Sequence, residues 1–427
     1  MEPIPFFKPS IGSEEIQEVV DTLRHGWLTT GPKTRLFEKE FAQYLRHTHA
    51  LAVNSCTAAL HLALEAIGLR PGQTVVVPTM TFAATAEVVR YFNARPLLVD
   101  CRPQDFNMDV ADAAERIARA IAEGSTVAAI IPVHYGGQIG DVGGIARLAS
   151  HYGLKVIEDA AHCCPAFYRE SNGGGDWQTV GSSADVSCYS FYANKTITTG
   201  EGGMACTEHA EYAERMRIMS LHGISRDAWK RYTADGSWFY EIIAPGFKYN
   251  LTDIAAAIGL HQLRKADALH ARRTELARTY SELLADVEEL ILPTAQADRI
   301  HSWHLYVVRL KLDRLTMDRA AVISKLKQAG IGVSVHWLPL HMHPYYRETY
   351  GYRAADLPCA ASLYHEIISL PLFPSMTVEE VAHVCSSLKD IVARARPRSV
   401  NAVSLRPARV IGGQNDSSSV IDATAGA

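Results

Sequence analysis

The amino-acid sequence predicts an α/β protein in which a large, mostly parallel sheet of seven strands is followed by a smaller α+β domain. Between about residues 50 and 205, seven short apolar runs alternate with segments of helical periodicity, which is typical of parallel strands joined by crossover helices. After residue 250 the alternation becomes irregular, which predicts a separate mixed domain. The predicted strands are 51–53, 74–77, 96–99, 127–132, 154–157, 186–190 and 203–206.

The remaining elements follow from local signals in chain order. Two helices precede the sheet and are joined by a turn-rich connector that contains Trp27. Within the sheet region the helix signals are clearest at 57–67 and at 142–152, where Asp141 can cap the first turn. The other predicted elements are helices 13–24 and 33–45, a long helical stretch 251–284, a strand 303–310, a helix 317–328, a strand 332–335, and helices near residue 360 and at 377–393.

These signals divide the chain into a large domain, residues 1–250, a small domain, 251–395, and a tail, 396–427. The tail is rich in small and polar residues and has few large apolar side chains, so we expect it to be flexible.

Composition and charge exclude several classes of function. The chain has 427 residues, of which 48% are hydrophobic and 21% charged, and its formal net charge is −4. Because there is no basic surplus and no run of about 18 apolar residues, we expect neither a nucleic-acid partner nor a membrane span. The first residues do not resemble a secretory signal, and the eight cysteines include no C-x-x-C pair. These features predict a cytoplasmic protein with reduced thiols.

No metal site is expected. His336, His341 and His343 are close in sequence, but Pro339 intervenes and no carboxylate is near. The sequence also lacks the phosphate-loop, H-E-x-x-H and G-x-S-x-G motifs.

Lys195 is the residue around which the predicted chemistry is arranged. It follows the apolar run 186–190 and precedes a stretch of small residues and glycines that ends at Gly203. An amine among aromatic and apolar neighbours loses its proton more easily and can attack an aldehyde, whereas a solvated lysine stays charged. Pyridoxal 5′-phosphate is the cofactor that most often uses such an amine, so Lys195 is a candidate Schiff-base lysine. A lysine without chemistry is the alternative.

The other requirements of a pyridoxal phosphate site also have candidates. Asp159, just past a predicted strand, can keep the pyridine nitrogen protonated, with a helix cap or salt bridge as the alternative. The first-turn amides of Cys56 and Thr57 can bind the phosphate, although Thr57 can also be an ordinary N-cap residue. Ser190 offers a hydroxyl to the same phosphate. Phe82 can stack on the ring or belong to the core.

Five segments carry motifs that agree in order and spacing with one family: GWLTTGPK at 26–33, NSCTAALHLAL at 54–64, IEDAAH at 157–162, SFYANKTITTGEGG at 190–203 and PGFKYNLTD at 245–253. Together they resemble the DegT/StrS family of pyridoxal phosphate-dependent sugar aminotransferases, and the resemblance covers about residues 4–394. It implies the aspartate-aminotransferase-like fold, fold type I, and a homodimer whose active sites are completed across the subunit interface.

The resemblance also implies roles for single residues around the cofactor ring. Lys195 makes the covalent link, Asp159 meets the pyridine nitrogen, and Phe82 stacks on the ring. His162 lies beside the cofactor, where relatives carry Gln or His.

Around the phosphate, the resemblance implies contacts from Thr57 and Ser190, and from Asn250 of the neighbouring subunit. Cys56 departs from the family, in which glycine or alanine is common at this position. The contact there is made by the backbone amide, so we expect it to survive unless the position needs a glycine-only dihedral.

The implied activity is transfer of the amino group of L-glutamate to the keto carbon of a nucleotide-linked sugar, in two half-reactions through pyridoxamine phosphate. The motifs look like those of members that aminate C4. Residues 222–238 and 336–341 resemble segments that approach the sugar nucleotide, with a subunit interface or plain surface as the alternative. The candidate substrate contacts are Trp27, Arg226 and His336. The alternatives are a C3 keto-sugar or cyclitol aminotransferase and a non-catalytic, cofactor-binding regulator. Members that dehydrate sugars replace the lysine with histidine, so Lys195 argues against dehydration.

Overall fold

The computed structural model describes residues 2–169, 175–225 and 240–397. Its strands are β1 (His49–Val53), β2 (Thr74–Pro78), β3 (Arg95–Val99), β4 (Val127–Ile130), β5 (Lys155–Asp159), β6 (Phe167–Tyr168), β7 (Gln178–Thr179), β8 (Val186–Ser190), β9 (Gly203–Thr207), β10 (Leu290–Ile291), β11 (Arg299–Ile300), β12 (Tyr306–Leu310) and β13 (Ile367–Leu370).

The α-helices in the same ranges are α1 (Ser13–His25), α2 (Pro32–Leu45), α3 (Cys56–Ala66), α4 (Ala84–Arg90), α5 (Val110–Ala122), α6 (Val142–Tyr152), α7 (Ala210–Met219), α8 (Asp253–Arg264), α9 (Ala266–Leu284), α10 (Arg319–Gln328), α11 (Pro344–Tyr350), α12 (Pro358–Glu366) and α13 (Val378–Arg394). The predicted cap of α6 is confirmed, because the Asp141 carboxylate accepts a hydrogen bond of 2.8 Å from the backbone N of Gly144.

The central sheet has seven strands in the order β1-β9-β8-β5-β4-β2-β3, which confirms the predicted sheet. Strand β9 is antiparallel to both of its neighbours, and the other adjacent pairs are parallel. Alternate side chains of β2 serve opposite faces: Val75 and Val77 pack with Leu60 of α3, and Val76 packs with Ile117 of α5. Helices therefore cover both faces, which explains why the strands read as continuous apolar runs.

The C-terminal region differs from the prediction in two places. The helical stretch 251–284 is two helices, which meet at Lys265 because α8 packs on α1 and α2 whereas α9 packs on α13. The expected strand 332–335 is wrong. Ile331 bridges Ile4 and Ser334 bridges Ser369, so the segment changes partner before a continuous ladder can form.

A second core lies under the antiparallel sheet β10-β12-β13, against α9, α10 and α13.

The boundary at residue 250 stays a prediction, and residues 398–427 of the predicted tail lie outside the described part of the chain. In the described ranges, no helix combines the length and the apolar character that crossing a bilayer requires.

Candidate active site

Most of the predicted site residues line one cavity of about 530 Å³. The cavity lies at the carboxyl edge of the parallel strands, where β5 ends at Asp159 and β8 ends at Ser190. Functional groups of parallel sheets collect at this edge because the loops that follow the strands meet there. The predicted residues among the lining groups are Cys56, Thr57, Phe82, Asp159, His162, Ser190, Lys195 and His336.

Lys195 lies in the loop after β8, and its backbone N donates a hydrogen bond of 2.9 Å to the carbonyl of Tyr192. Its side chain is partly exposed to the cavity. Burial lowers its pKa to about 8, although Asp159 and Cys56 act in the opposite direction. About one-tenth of the amine is therefore neutral at pH 7, far more than for a solvated lysine. This amine can act as a nucleophile and as a proton carrier.

The Asp159 carboxylate is 5% exposed and is held by two hydrogen bonds. It accepts one of 2.8 Å from the Thr85 hydroxyl and one of 3.1 Å from the backbone N of Ala161. Among the described residues no Lys, Arg or His is within ion-pair distance of it, which argues against the salt-bridge alternative. Burial raises the pKa of Asp159, so a cationic ring nitrogen would stabilise its charged form.

The N-terminus of α3 forms the candidate phosphate site. The N-cap is Ser55, whose Oγ accepts a hydrogen bond of 3.1 Å from the backbone N of Ala58. The alternative of Thr57 as N-cap is therefore wrong. Cys56 and Thr57 are the first two helical residues, so their amides have no acceptor within the helix and can bind an anion. Ser190 lines the same end of the cavity.

Gly203 of β9 pairs with Ser190 and passes directly beneath this helix end. A Cβ atom on Gly203 would lie 2.5 Å from the carbonyl carbon of Ser55 and 2.6 Å from the backbone N of Cys56. These are backbone atoms, so a side chain there would displace the amides of the phosphate site. The absence of a side chain at Gly203 therefore leaves the first amides of α3 in place to bind a phosphate.

We expect Gly203→Ala to weaken pyridoxal phosphate binding by at least about tenfold, because displaced helix N-terminal amides bind anions less well. The measurement is a titration of cofactor-free protein followed by absorbance. Gly143→Ala is the matched control, since a Cβ there meets no backbone atom: the nearest atoms are the end of the Arg147 side chain at 3.3 Å and an oxygen of Asp141 at 4.0 Å. Equal cofactor affinity in the two variants would contradict the assigned cradle.

Three neutral histidines and a tryptophan line the cavity: His162 follows β5, whereas His304, His336 and Trp337 come from the later part of the chain. The His162 Nδ1 accepts a hydrogen bond of 3.1 Å from the backbone N of Gly136, so the ring carries its proton on Nε2. Its ring stacks on Trp337, with centroids 5.3 Å apart, and lies 4.3 Å from the ring of His304. Burial lowers the pKa of His162 well below its usual range and that of His336 to about 4.

Thr85, His304 and Trp337 also line the cavity but were not among the predicted site residues. His304 and Trp337 come from irregular segments far along the chain, and only folding brings them to the sheet edge. Only Thr85 carried a weak sequence signal, because it follows strand β2 and lies four residues, about one helical turn, after Thr81. In the structure the hydroxyls of Thr81 and Thr85 are hydrogen-bonded at 2.8 Å.

The remaining predicted residues differ in position. Phe82 is 62% exposed at the cavity, so the core alternative is wrong. Trp27 and Asn250 are not among the described residues that line this cavity: the Trp27 indole donates to the carbonyl of Thr30, and the Asn250 amide donates to the Thr30 hydroxyl. Arg226 lies outside the described residues.

These residues fit pyridoxal phosphate. Lys195 supplies an amine of lowered pKa for the aldehyde, Asp159 a buried carboxylate for the ring nitrogen, and the start of α3 a phosphate site beside Gly203. All three surround one cavity.

Comparison with proteins of known sequence identifies relatives over most of the chain. Residues 9–389 match the DegT/DnrJ/EryC1/StrS aminotransferase family. The spore coat polysaccharide biosynthesis protein SpsC of Bacillus subtilis is 42% identical over 393 residues, which are 92% of this chain and 98% of that protein. An uncharacterized protein of Methanocaldococcus jannaschii is 46% identical over 393 residues, again 92% and 98% of the two chains.

A solved structure is similar over the same length. The putative sugar aminotransferase Spr1654 of Streptococcus pneumoniae, in its pyridoxal phosphate form, is 31% identical with a TM-score of 0.82, and the match covers 92% of this chain and 99% of that one. The same protein is known in a PMP form. The family match, the fold and the cavity agree, and the chain therefore belongs to the DegT/DnrJ/EryC1/StrS family of pyridoxal phosphate-dependent sugar aminotransferases.

Proposed function

We propose that this protein transfers the amino group of L-glutamate to the C4 keto carbon of a nucleotide-linked sugar. The observation that carries the proposal is the convergence of Lys195, Asp159 and the first amides of α3 on one cavity. The choice of C4 rests on the resemblance of the motifs at 54–64 and 190–203 to members that aminate this carbon. The relative SpsC is named for polysaccharide biosynthesis, which supports a role in glycan assembly.

The chemistry divides between the cofactor and the chain. When bound, pyridoxal phosphate supplies an aldehyde that accepts the amino group and a ring that delocalises the electron pair left by C–H cleavage. The amides of Cys56 and Thr57 and the hydroxyl of Ser190 would bind the phosphate, and Asp159 would keep a proton on the ring nitrogen. Phe82 would pack against the ring.

Lys195 moves the proton in both directions of the reaction. Its amine accepts the proton from the α-carbon of glutamate in the first half-reaction. In the second half-reaction it delivers a proton to the sugar carbon that receives the amino group. A lysine whose pKa lies near the working pH can do both, because its neutral and charged forms are both populated.

The neutral histidines that line the cavity, His162, His304 and His336, support a sugar as the second ligand. His336 donates or accepts through Nδ1 at 2.8 Å from the Ser369 hydroxyl, which fixes the orientation of its ring. His162 keeps Nε2–H as its donor. Uncharged donors beside the Trp337 indole suit hydroxyl and keto groups, because they need no counter-ion when the cavity closes around a ligand.

The rate at which cofactor-free protein captures pyridoxal phosphate is expected to rise about tenfold per pH unit up to about pH 8 and then to level off. Only the neutral amine attacks an aldehyde, and the Lys195 pKa is about 8 instead of the usual 10.5. Stopped-flow absorbance across this range gives the profile. A midpoint near 10.5 would show that the site does not desolvate the amine.

The function is tested by supplying UDP-, GDP- and dTDP-linked 4-keto sugars with glutamate and identifying the amine by mass spectrometry and NMR. We expect one of them to be aminated at C4 and 2-oxoglutarate to appear in equal amount. Amination only of a 3-keto sugar or of a cyclitol ketone would replace the proposed acceptor. If glutamate did not convert bound pyridoxal phosphate to pyridoxamine phosphate, the proposed amino donor would be wrong.

We further propose that the active unit is a homodimer and that Asn250 serves the site of the neighbouring subunit. In support, Phe82 at the cavity and Ile242 and Ile243 outside it are 62%, 67% and 56% exposed, and a second copy can cover such large apolar side chains. Mixing the Lys195→Ala and Asn250→Ala proteins tests this. If Asn250 acts across the interface, half of the dimers contain one intact site, and about one quarter of the wild-type activity returns. No recovery after subunit exchange would place Asn250 elsewhere.

A further inference from the structure

We propose that Cys101 and Cys359 form an oxidisable dithiol, a modification site that closes into a disulfide when the protein meets hydrogen peroxide. Cys101 follows β3 and the adjacent Asp100, and Cys359 lies in the first turn of α12. The two Sγ atoms and a carboxylate oxygen of Asp100 all lie within 4.8 Å of one another. A disulfide of about 2.05 Å therefore needs the two sulfurs to approach by less than about 3 Å.

The Asp100 carboxylate holds both cysteines in place. Its Oδ1 accepts hydrogen bonds of 2.9 Å from the backbone N of Cys101 and of 2.8 Å from the backbone N of Ala360. Its Oδ2 accepts one of 2.9 Å from the backbone N of Cys359. One buried carboxylate thus fixes two backbone segments that are far apart in sequence. Both oxygens are already engaged with amides, which favours a dithiol over a metal site built from the same groups.

The two thiols differ in reactivity, as an attacking and a resolving cysteine should. Cys101 is 1% exposed, whereas Cys359 is partly exposed at a helix N-terminus, where a thiolate is stabilised. The hydrogen bond from Cys101 lowers the pKa of Cys359, against the effect of burial. By contrast, burial raises the pKa of Cys56, the other partly exposed thiol of the chain.

The proposed step is balanced with peroxide as the oxidant. The Cys359 thiolate attacks one peroxide oxygen, the O–O bond breaks, and the departing hydroxide takes up a proton to become water. The Cys101 sulfur then attacks the sulfur of the resulting sulfenic acid, the S–O bond breaks, and a second water leaves with the proton of Cys101. Two thiols and one peroxide give one disulfide and two waters.

The disulfide would tie the C-terminal region to the central sheet beside the active site. Cys101 belongs to an apolar cluster that also contains Met80 and Ala360 of α12. Trp337, which lines the active-site cavity, packs against the same cluster. Closure would therefore limit movement between α12 and the edge of the sheet at a wall of the cavity.

Peptide mapping of the cofactor-loaded, full-length protein tests the inference. After treatment with hydrogen peroxide and blocking of free thiols with N-ethylmaleimide, we expect a reducible cross-linked peptide pair that contains Cys101 and Cys359, and the loss of two free thiols. Cys385→Ser, which changes a buried thiol of α13, should behave like the wild type, whereas Cys101→Ser and Cys359→Ser should form no cross-link.

The wild-type map decides the matter even if a variant folds poorly. A wild-type protein that forms sulfinic acid at Cys359 without a cross-link, or that oxidises first at Cys56, would overturn the proposal. Stoichiometric binding of Zn²⁺ that protects both thiols and is lost in Cys359→Ser would also overturn it, in favour of a metal site.

Discussion

Replacing Lys195 with alanine is expected to reduce turnover by at least about 10⁴-fold while the protein still binds pyridoxamine phosphate. In the proposed mechanism the side chain is both the nucleophile for the aldehyde and the proton carrier of each half-reaction, so its loss would remove two contributions at once. The phosphate site at the start of α3 and the carboxylate of Asp159 do not depend on it. Product formation with glutamate and the keto-sugar, together with the absorbance of the bound cofactor, measures both effects.

A small primary amine added to the Lys195→Ala protein should restore part of the activity, because it can replace the missing proton carrier. A purely structural role for Lys195 would not give this rescue. Lys155→Ala is the control, since Lys155 pairs at 3.0 Å with Asp185 at the opposite end of β5. Substantial activity of the Lys195→Ala protein without added amine would contradict the proposed mechanism.

Asp159→Asn is expected to lower kcat by about 10²- to 10³-fold, because it removes a buried charge that acts on the ring nitrogen. Asparagine has nearly the same shape and keeps an oxygen for the Thr85 hydroxyl, which donates to Asp159 at 2.8 Å. The loss should therefore appear in the chemical step, with a shift of the cofactor absorbance that reports a neutral pyridine nitrogen. Single-turnover kinetics with glutamate isolates this step.

Thr85→Val tests the orientation of the Asp159 carboxylate separately from its charge. It removes one hydrogen bond to Asp159 and leaves the charge, so we expect kcat to fall about tenfold, near the lower end of the range for a hydrogen bond to a charged group. If Asp159→Asn stayed within threefold of the wild type, the carboxylate would not control the ring nitrogen, whatever the result for Thr85→Val.

The central sheet was predictable because its strands are buried on both faces and therefore read as apolar runs with clear ends. The grouping of the candidate cofactor residues in one cavity was predictable for a related reason: Asp159 and Ser190 are the last residues of parallel strands, and Cys56 opens a helix after a strand. Strand ends converge in space as a consequence of topology, so sequence order was enough to bring these groups together.

The substrate side of the cavity was not predictable in this way. His304 and Trp337 reach it from segments without regular structure, and their positions depend on the packing of the C-terminal region against the sheet. The strand expected at 332–335 was wrong for the same reason, since Ile331 and Ser334 pair with residues as distant as Ile4 and Ser369. Local patterns do not encode such a change of partner.

The lowered pKa of Lys195 also affects folding. A lysine whose pKa falls from 10.5 in the unfolded chain to about 8 in the native protein reduces the free energy of unfolding, on the order of 3 kcal/mol below pH 8. Between pH 8 and 10.5 the unfolded chain holds more protons than the native one, so the penalty fades as the pH rises. Covalent capture of the cofactor removes the ammonium and with it this penalty. Binding of pyridoxal phosphate would then raise the free energy of unfolding of the protein as well as make it active.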